Sequence, residues 1–195
     1  MENKEGIVGR IGPSRDSDGY FKLIASRHSV RRYREDAISA EVLRKVLEAA
    51  CEAPSAGNLQ AFRVVVVADR DKRALLAEAA FELEYLSHAP VLLVFCAYPA
   101  ISADKFGIRG QNLYAIQDAT IAASYAQLAA VALGLGSAWV GAFEEDVVSE
   151  IIGDEGHDLL PVCIVPIGYA AEVPEQRNKR SVDELVYSEK VRLIA

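Results

Sequence analysis

Residues 62–69 read "FRVVVVAD", and four successive valines leave little choice of backbone. β-branched side chains fit a pleated strand, and a run without polar alternation predicts a strand covered on both faces. The stretch "PVLLVFCAY" (90–98) repeats that pattern, and "RDKRALLAEAAFELEYL" (70–86) between them reads as a helix. Further on, "GSAWVGAF" (136–143) is expected to be a third strand running into a turn. "LPVCIVPIGYA" (160–170) is expected to be a fourth, interrupted or edged by Pro166, which has no N–H to offer a ladder. Helices alternating with strands around a small sheet predict an α+β or α/β layered domain.

The remaining segments fit around that sheet. A helix is expected from Tyr20 to about Arg27, with Phe21, Leu23 and Ile24 as apolar positions. A second is expected after Ser39 as N-cap, with Glu41 in its first turn. Its apolar face is Val42, Leu43, Val46, Leu47 and Ala50, and Pro54 ends it. A loop holding Asp104, Lys105, Gly107 and Gly110 should precede a long helix from about 112 to 133. Its many alanines, Ala115 to Ala130, let neighbouring helices approach closely. A short helix near 144–152 follows. Residues 1–19 read as a leader or arm before a single domain at 20–195, whose C-terminal extension starts at about 171 and ends in a strand-like "KVRLIA".

Composition limits the function. The chain has 195 residues, 51% of them apolar, which suits one folded domain rather than disorder. Its formal charge of −7 argues against a nucleic-acid or membrane-surface role, which needs a broad positive footprint. The run Val91–Phe95 is too short to span a bilayer, and the polar N-terminus lacks the apolar core of a signal peptide. Cys51, Cys96 and Cys163 are odd in number and sit among apolar neighbours, a pattern for buried thiols in a reducing, cytoplasmic setting.

Several chemistries lack their residues. His28, His88 and His157 are isolated from one another and from any cysteine at ligand spacing, so no metal site is expected. No G-x-S-x-G elbow is present for a serine hydrolase. "GLGSAW" (134–139) lacks the third glycine of a dinucleotide loop and reads as a helix C-cap leading into a strand.

Two stretches stand out against that background. "SRHSVRRYR" (26–34) places Arg27, Arg31, Arg32 and Arg34 within eight positions of an acidic chain. If Arg27 and Arg31 flank a helix end, their i, i+4 spacing brings two guanidinium forks toward one point, and Ser29 adds a hydroxyl or backbone donor, as phosphate sites do. On spacing alone a solvated charged face fits equally well. "APSAGNLQAF" (53–62) joins a helix to a strand. Its small residues would let a planar ligand approach the backbone, and the amides of Asn58 and Gln60 could match a heteroaromatic ring. Standing alone, it would read as an ordinary turn-rich loop.

Together these stretches resemble the nitroreductase family of FMN-dependent oxidoreductases. "RHSVRRY" (27–33) resembles its opening Arg-x-Ser-x-Arg/Lys-x-aromatic motif, and "APSAGNLQAF" its Pro-Ser-x-x-Asn-x-Gln-Pro-Trp segment. "AIQDATIAASYAQLAAVALGLGSAWVGAF" (115–143) resembles the family's central helix and following strand. "VPIGYAAEVPEQRNKRSVDELV" (165–186) resembles its closing segment, and the match runs in order from about 22 to 187. Ala61 and Phe62 replace the usual Pro-Trp.

The resemblance implies a three-layer α+β sandwich with a small mixed sheet, a dimer-forming central helix and a C-terminal arm. It implies a homodimer with FMN at the subunit interface and NADH or NADPH as electron donor. The small acceptor would be a quinone, a nitroaromatic or a related molecule, reduced by a ping-pong mechanism. Arg27, His28 and Arg180 would reach the FMN phosphate, and Ser29 and Arg31 the pyrimidine edge of the ring. Pro54, Ser55, Ala56, Asn58 and Gln60 would line the flavin from the partner chain, and Gly141 and Ala142 would approach N5 and O4. Flavin N5 carries the chemistry, so no catalytic acid, base or nucleophile is required, and Arg31 supports the reduced ring. Lys105 and Gln111 are candidates for ligand contact. Dehalogenating or flavin-cleaving relatives of the same fold, and a flavin-binding protein without turnover, are the alternatives.

Overall fold

The structure, a computed structural model, describes residues 17–156, 158–174 and 177–187. Its centre is a four-stranded sheet in the order β1-β2-β4-β3. The strands are β1 (Phe62–Val67), β2 (Val91–Ala97), β3 (Gly136–Ser137) and β4 (Leu160–Gly168). All three ladders are antiparallel, and the parallel contact that the expected mixed sheet would need is a single bridge from Ser29 to Ser137.

Alternate residues of β2 serve two separate cores, as the two-residue period of a strand requires. Val91, Leu93, Phe95 and Ala97 pack with residues of α2 (Ala40–Cys51) and α6 (Ala115–Ala132). Leu92, Val94 and Cys96 pack with residues of α3 (Arg70–Ala79) and α7 (Glu145–Ile152). Helices therefore cover both faces, which makes the three-layer sandwich. Every residue of β2 is buried, so its continuous apolar run is fully used. β1 departs from the expectation: Arg63 and Val66 are exposed, because this strand is the sheet's edge and its covering layers thin out there.

Pro166 lies inside β4, opposite Leu92. Ile164 exchanges both backbone hydrogen bonds with Val140, at 2.9 and 3.0 Å, so the donor side of Pro166, two residues on, faces the same way. β3 pairs with β4 at Gly168 and Ile167 and the bridge resumes at Val140, leaving residues 138 and 139 unpaired where proline has no hydrogen to give. The expected strand over 136–143 thus shrinks to two residues and a bridge.

Three other expectations change. The helix expected over 70–86 breaks into α3 and α4 (Tyr85–His88), because Phe81 and Glu82 both take left-handed backbone, φ 57° and 61°. The Arg73 guanidinium donates to the carbonyls of Ser87 and Ala89 and ties the second piece to the first. The loop expected at 99–110 is instead helix α5 (Pro99–Arg109), since Pro99 suits a first turn. Gly107, at φ 58° and ψ −147°, breaks it in a region open essentially to glycine, and a π-helical turn (Gly110–Tyr114) leads into α6. α1 spans Ser17–Ser26, so it starts inside the expected leader and stops before Arg27.

Ser39 caps α2 as expected, accepting from the Val42 N–H at 3.3 Å. α8 (Val182–Leu185) begins with a Ser181–Glu184 capping box, and "KVRLIA" lies outside the described residues. Cys96 and Cys163 are buried, but Cys51 is exposed at the C-terminal end of α2. Burial pushes the Cys96 thiol up to about 12 and also raises Cys163. Only thiolates attack disulfide reagents, so the native protein should titrate one thiol and the denatured protein three. Two fast-reacting native thiols would contradict this packing.

Candidate functional site

The chain after α1 is extended, and backbone pairing fixes it on both sides. The Val30 N–H donates to Ser137 O at 2.9 Å, and the Ala171 N–H donates to Arg32 O at 2.8 Å. The Arg34 N–H donates to Tyr169 O at 2.8 Å. Val30 and Tyr33 are the buried anchors, and the Tyr33 hydroxyl donates back to Val30 O at 2.7 Å. Arg27 directly follows α1, but Arg31 does not share that helix end; a segment docked between β3 and the end of β4 places it.

This segment forms one wall of a cleft of about 630 Å³. Arg27, His28, Ser29 and Arg31 line it from one side, and Glu172, Pro174, Arg177 and Lys179 from the other. Glu172 does not neutralise the cations through a side-chain ion pair: its Oε1 accepts from the backbone N–H groups of Arg31 and Arg32, at 2.7 and 3.1 Å. Among the described residues, no carboxylate ion pair takes up Arg27, Arg31, Arg177 or Lys179; the nearby pair is Arg34 with Asp36 at 2.6 Å. Four cations thus face a half-open space with one carboxylate among them, which suits an anion better than a neutral ligand.

The charge of Arg31 also acts on the Tyr85 hydroxyl. Burial raises the Tyr85 pKa, and the charge and hydrogen bond of Arg31 oppose that rise. Tyr33 is raised chiefly by burial, with Tyr85 and Glu172 adding to it and Arg31 opposing.

Pro54, Ser55 and Ala56 line a second cleft, of about 490 Å³, together with Tyr114, Gln117, Asp118, Thr120 and Ile121. The loop that carries them makes a 3-10 turn (Ala56–Asn58) and holds three residues in left-handed backbone: Gly57, Asn58 and Gln60. Ser55 Oγ accepts from the Gln60 N–H at 2.9 Å. Lys105 arches over Gly57, so that a Cβ there would fall 2.7 Å from its Nζ. Lys105, a candidate for ligand contact, thus sits on helix α5 against this loop and is not among the residues that line either cleft.

The structure brings Arg27, His28, Ser29 and Arg31 together, and it brings Pro54, Ser55 and Ala56 together. It does not join the two groups: the clefts share no lining residue. Asn58 and Gln60 are exposed on the loop, and Gln111 is exposed beyond it; none of the three lines either cleft. Gly141 and Ala142 are exposed in the turn before α7, outside both linings. Arg177, Lys179 and Arg180 are all exposed, and the first two line the cationic cleft while Arg180 does not. Sequence reasoning missed those two, together with Glu172 and Asp118; the basic run "RNKR" (177–180) was the signal for the first pair. Among the described residues no cluster of His, Cys, Asp or Glu is suited to a metal ion, and His157 lies outside them. No helix among them is long and apolar enough to cross a membrane.

Known proteins resemble this chain in sequence and in fold. A Thermus thermophilus protein named NADH dehydrogenase is 35% identical over 187 residues, covering 82% of this chain and 91% of its own. A Bacillus subtilis FMN reductase [NAD(P)H] is 29% identical over 135 residues, covering 63% and 53%. The solved structure of B. megaterium NfrA2 superposes with a TM-score of 0.82 at 26% identity, covering 88% of this chain and 74% of that one. The profile of the Nitroreductase family matches residues 24–85 and 83–169, a span that includes the arginine segment, the 53–62 loop, the central helix and β4, and the chain belongs to that family.

Proposed function

We propose that this protein is an FMN-dependent oxidoreductase that takes electrons from NADH or NADPH and passes them to a quinone, a nitroaromatic or a related small acceptor. The observation that carries the reading is the cationic cleft: Arg27, Arg31, Arg177 and Lys179 on a chain of net charge −7. The names of the relatives support the cofactor and the donor. FMN, when bound, supplies hydride chemistry at its N5.

The residues of the chain bind and tune. Arg27 and His28 would hold the phosphate from one wall and Arg177 and Lys179 from the other, with Arg180 as the further partner that the resemblance implies. Ser29 would donate to the pyrimidine edge. Arg31 would place a fixed positive charge where that edge gains negative charge on reduction. The separation of the two clefts supports a homodimer, in which the 54–60 loop of one copy would face the arginine segment of the other. Gly141 and Ala142 would approach the ring near N5 and O4. Residues 20–195 would form one FMN-binding domain with a C-terminal arm from about 171, and buried free thiols suit a cytoplasmic setting.

Donor and acceptor would use one ring face in turn, so initial rates should give parallel double-reciprocal lines, the mark of ping-pong kinetics. Intersecting lines would contradict the shared face. Flavin consumed in step with oxygen, without acceptor turnover, would favour the flavin-cleaving alternative. No turnover with any nicotinamide would favour a binding protein.

A further inference from the structure

Asp118 on α6 is 2% exposed, and it is the one ionisable carboxylate or ammonium-type side chain among the buried described residues. A buried carboxylate is costly unless its oxygens are satisfied. Here both are used, and both by one loop: Oδ1 accepts from the Ala56 N–H at 2.9 Å and Oδ2 from the Ala61 N–H at 3.3 Å. No ion pair among the described residues supplies it with a cation. Its charge is spent on two backbone amides five residues apart.

The segment between those amides does not hold its shape by intrinsic preference. Gly57, Asn58 and Gln60 sit at φ 56°, 58° and 50°. Left-handed backbone is unfavourable for a residue with a side chain, less so for Asn. The Ser55–Gln60 bond closes the loop on itself, but it ties the loop to nothing else. Asp118 ties both amides to a helix packed in the sheet's core, and at the Ala61 end the Tyr98 N–H adds a backbone bond to Ala61 O at 2.8 Å, which leaves Ala56 held by Asp118.

We propose that Asp118 is the positioning residue for the 54–60 loop, a clamp that holds both ends of a strained segment so that Pro54, Ser55 and Ala56 face the second cleft in ligand-ready form. The clamp stands on the hydrogen bonds alone; its consequence for FMN rests on the function proposed above.

The test uses the full-length protein. Wild type and Asp118→Asn, which keeps the size but only one acceptor oxygen, are compared by amide hydrogen exchange and by FMN titration. In wild type the Ala56 and Ala61 amides should be the best protected of the loop. In Asp118→Asn at least one should exchange about tenfold faster while β2 keeps its protection, and the FMN dissociation constant should rise by about tenfold. The flavin potential should stay unchanged, because Arg31 is untouched. Fast exchange of both amides in wild type would overturn the clamp even if the variant fails to fold. Lost protection with unchanged FMN affinity would overturn the positioning role. A wild-type protein that takes up no FMN would overturn the flavin reading and the last step, while the exchange data would still decide the clamp.

Discussion

Replacing Arg27 by alanine is expected to raise the dissociation constant for FMN on the order of 100-fold, since hydrogen bonds between charged groups are worth about 1.5–3 kcal/mol each. Arg27 is half-buried at the entrance of the extended segment and lines the cationic cleft. Partial burial withdraws it from the screening that reduces exposed ion pairs to about 1 kcal/mol or less. Its backbone neighbours are pinned by Val30 and Tyr33, so truncation removes the guanidinium and leaves the fold in place. Arg180 is the control. Both it and Arg177 are exposed, but only Arg177 lines the cleft, so Arg180→Ala should weaken binding less than Arg177→Ala does. Flavin fluorescence titration measures all three, and equal affinities for wild type and Arg27→Ala would remove the phosphate assignment.

Arg31→Ala is expected to lower the flavin's midpoint potential by about 30 mV, which for a two-electron couple corresponds to about 1.4 kcal/mol of lost charge stabilisation. The Arg31 backbone N–H donates to Glu172 at 2.7 Å, and that bond does not depend on the side chain. Some FMN should therefore remain bound, and its potential can be read by anaerobic titration against a reference dye. Tyr85 is the neighbour that would register the change. With Arg31 gone, the hydroxyl loses the influence that offsets burial, so its pKa should climb further. An unchanged potential would assign Arg31 to binding alone.

The parts of this fold that were legible in the sequence are those where one force dominates. β2 is apolar at every position and is buried at every position. The Ser39 cap follows from a single hydroxyl before an amphipathic run. The misread parts are those where tertiary contacts overrule local signals. Gly107 looked like loop material, yet it is a break within a helix, because one residue in a glycine-only conformation bends the chain without ending it. Phe81 and Glu82 carry no turn signature; packing of Leu83 and Leu86 and the Arg73 clamp impose their backbone. β1 reads like β2, and only the strand order, which no local pattern encodes, puts it at the edge.

At the site, residue types were legible and geometry was not. The cluster Arg27 to Arg31 was visible as charge, but an i, i+4 spacing does not say whether the chain is helical or extended. Asp118 was hidden inside an alanine-rich helix, where a single acid looks like a solvent-facing residue. Arg177 and Lys179 lie three and one positions from Arg180, the residue that the resemblance favoured.

Sedimentation of the purified full-length protein with added FMN, followed at the flavin's visible absorption band, tests the central claim most directly. FMN is expected to travel with a species of two chains, one flavin per chain, and to be lost from that species in Arg27→Ala. Single chains sedimenting free of flavin would contradict a cofactor site built from the 27–31 segment of one copy and the 54–60 loop of another.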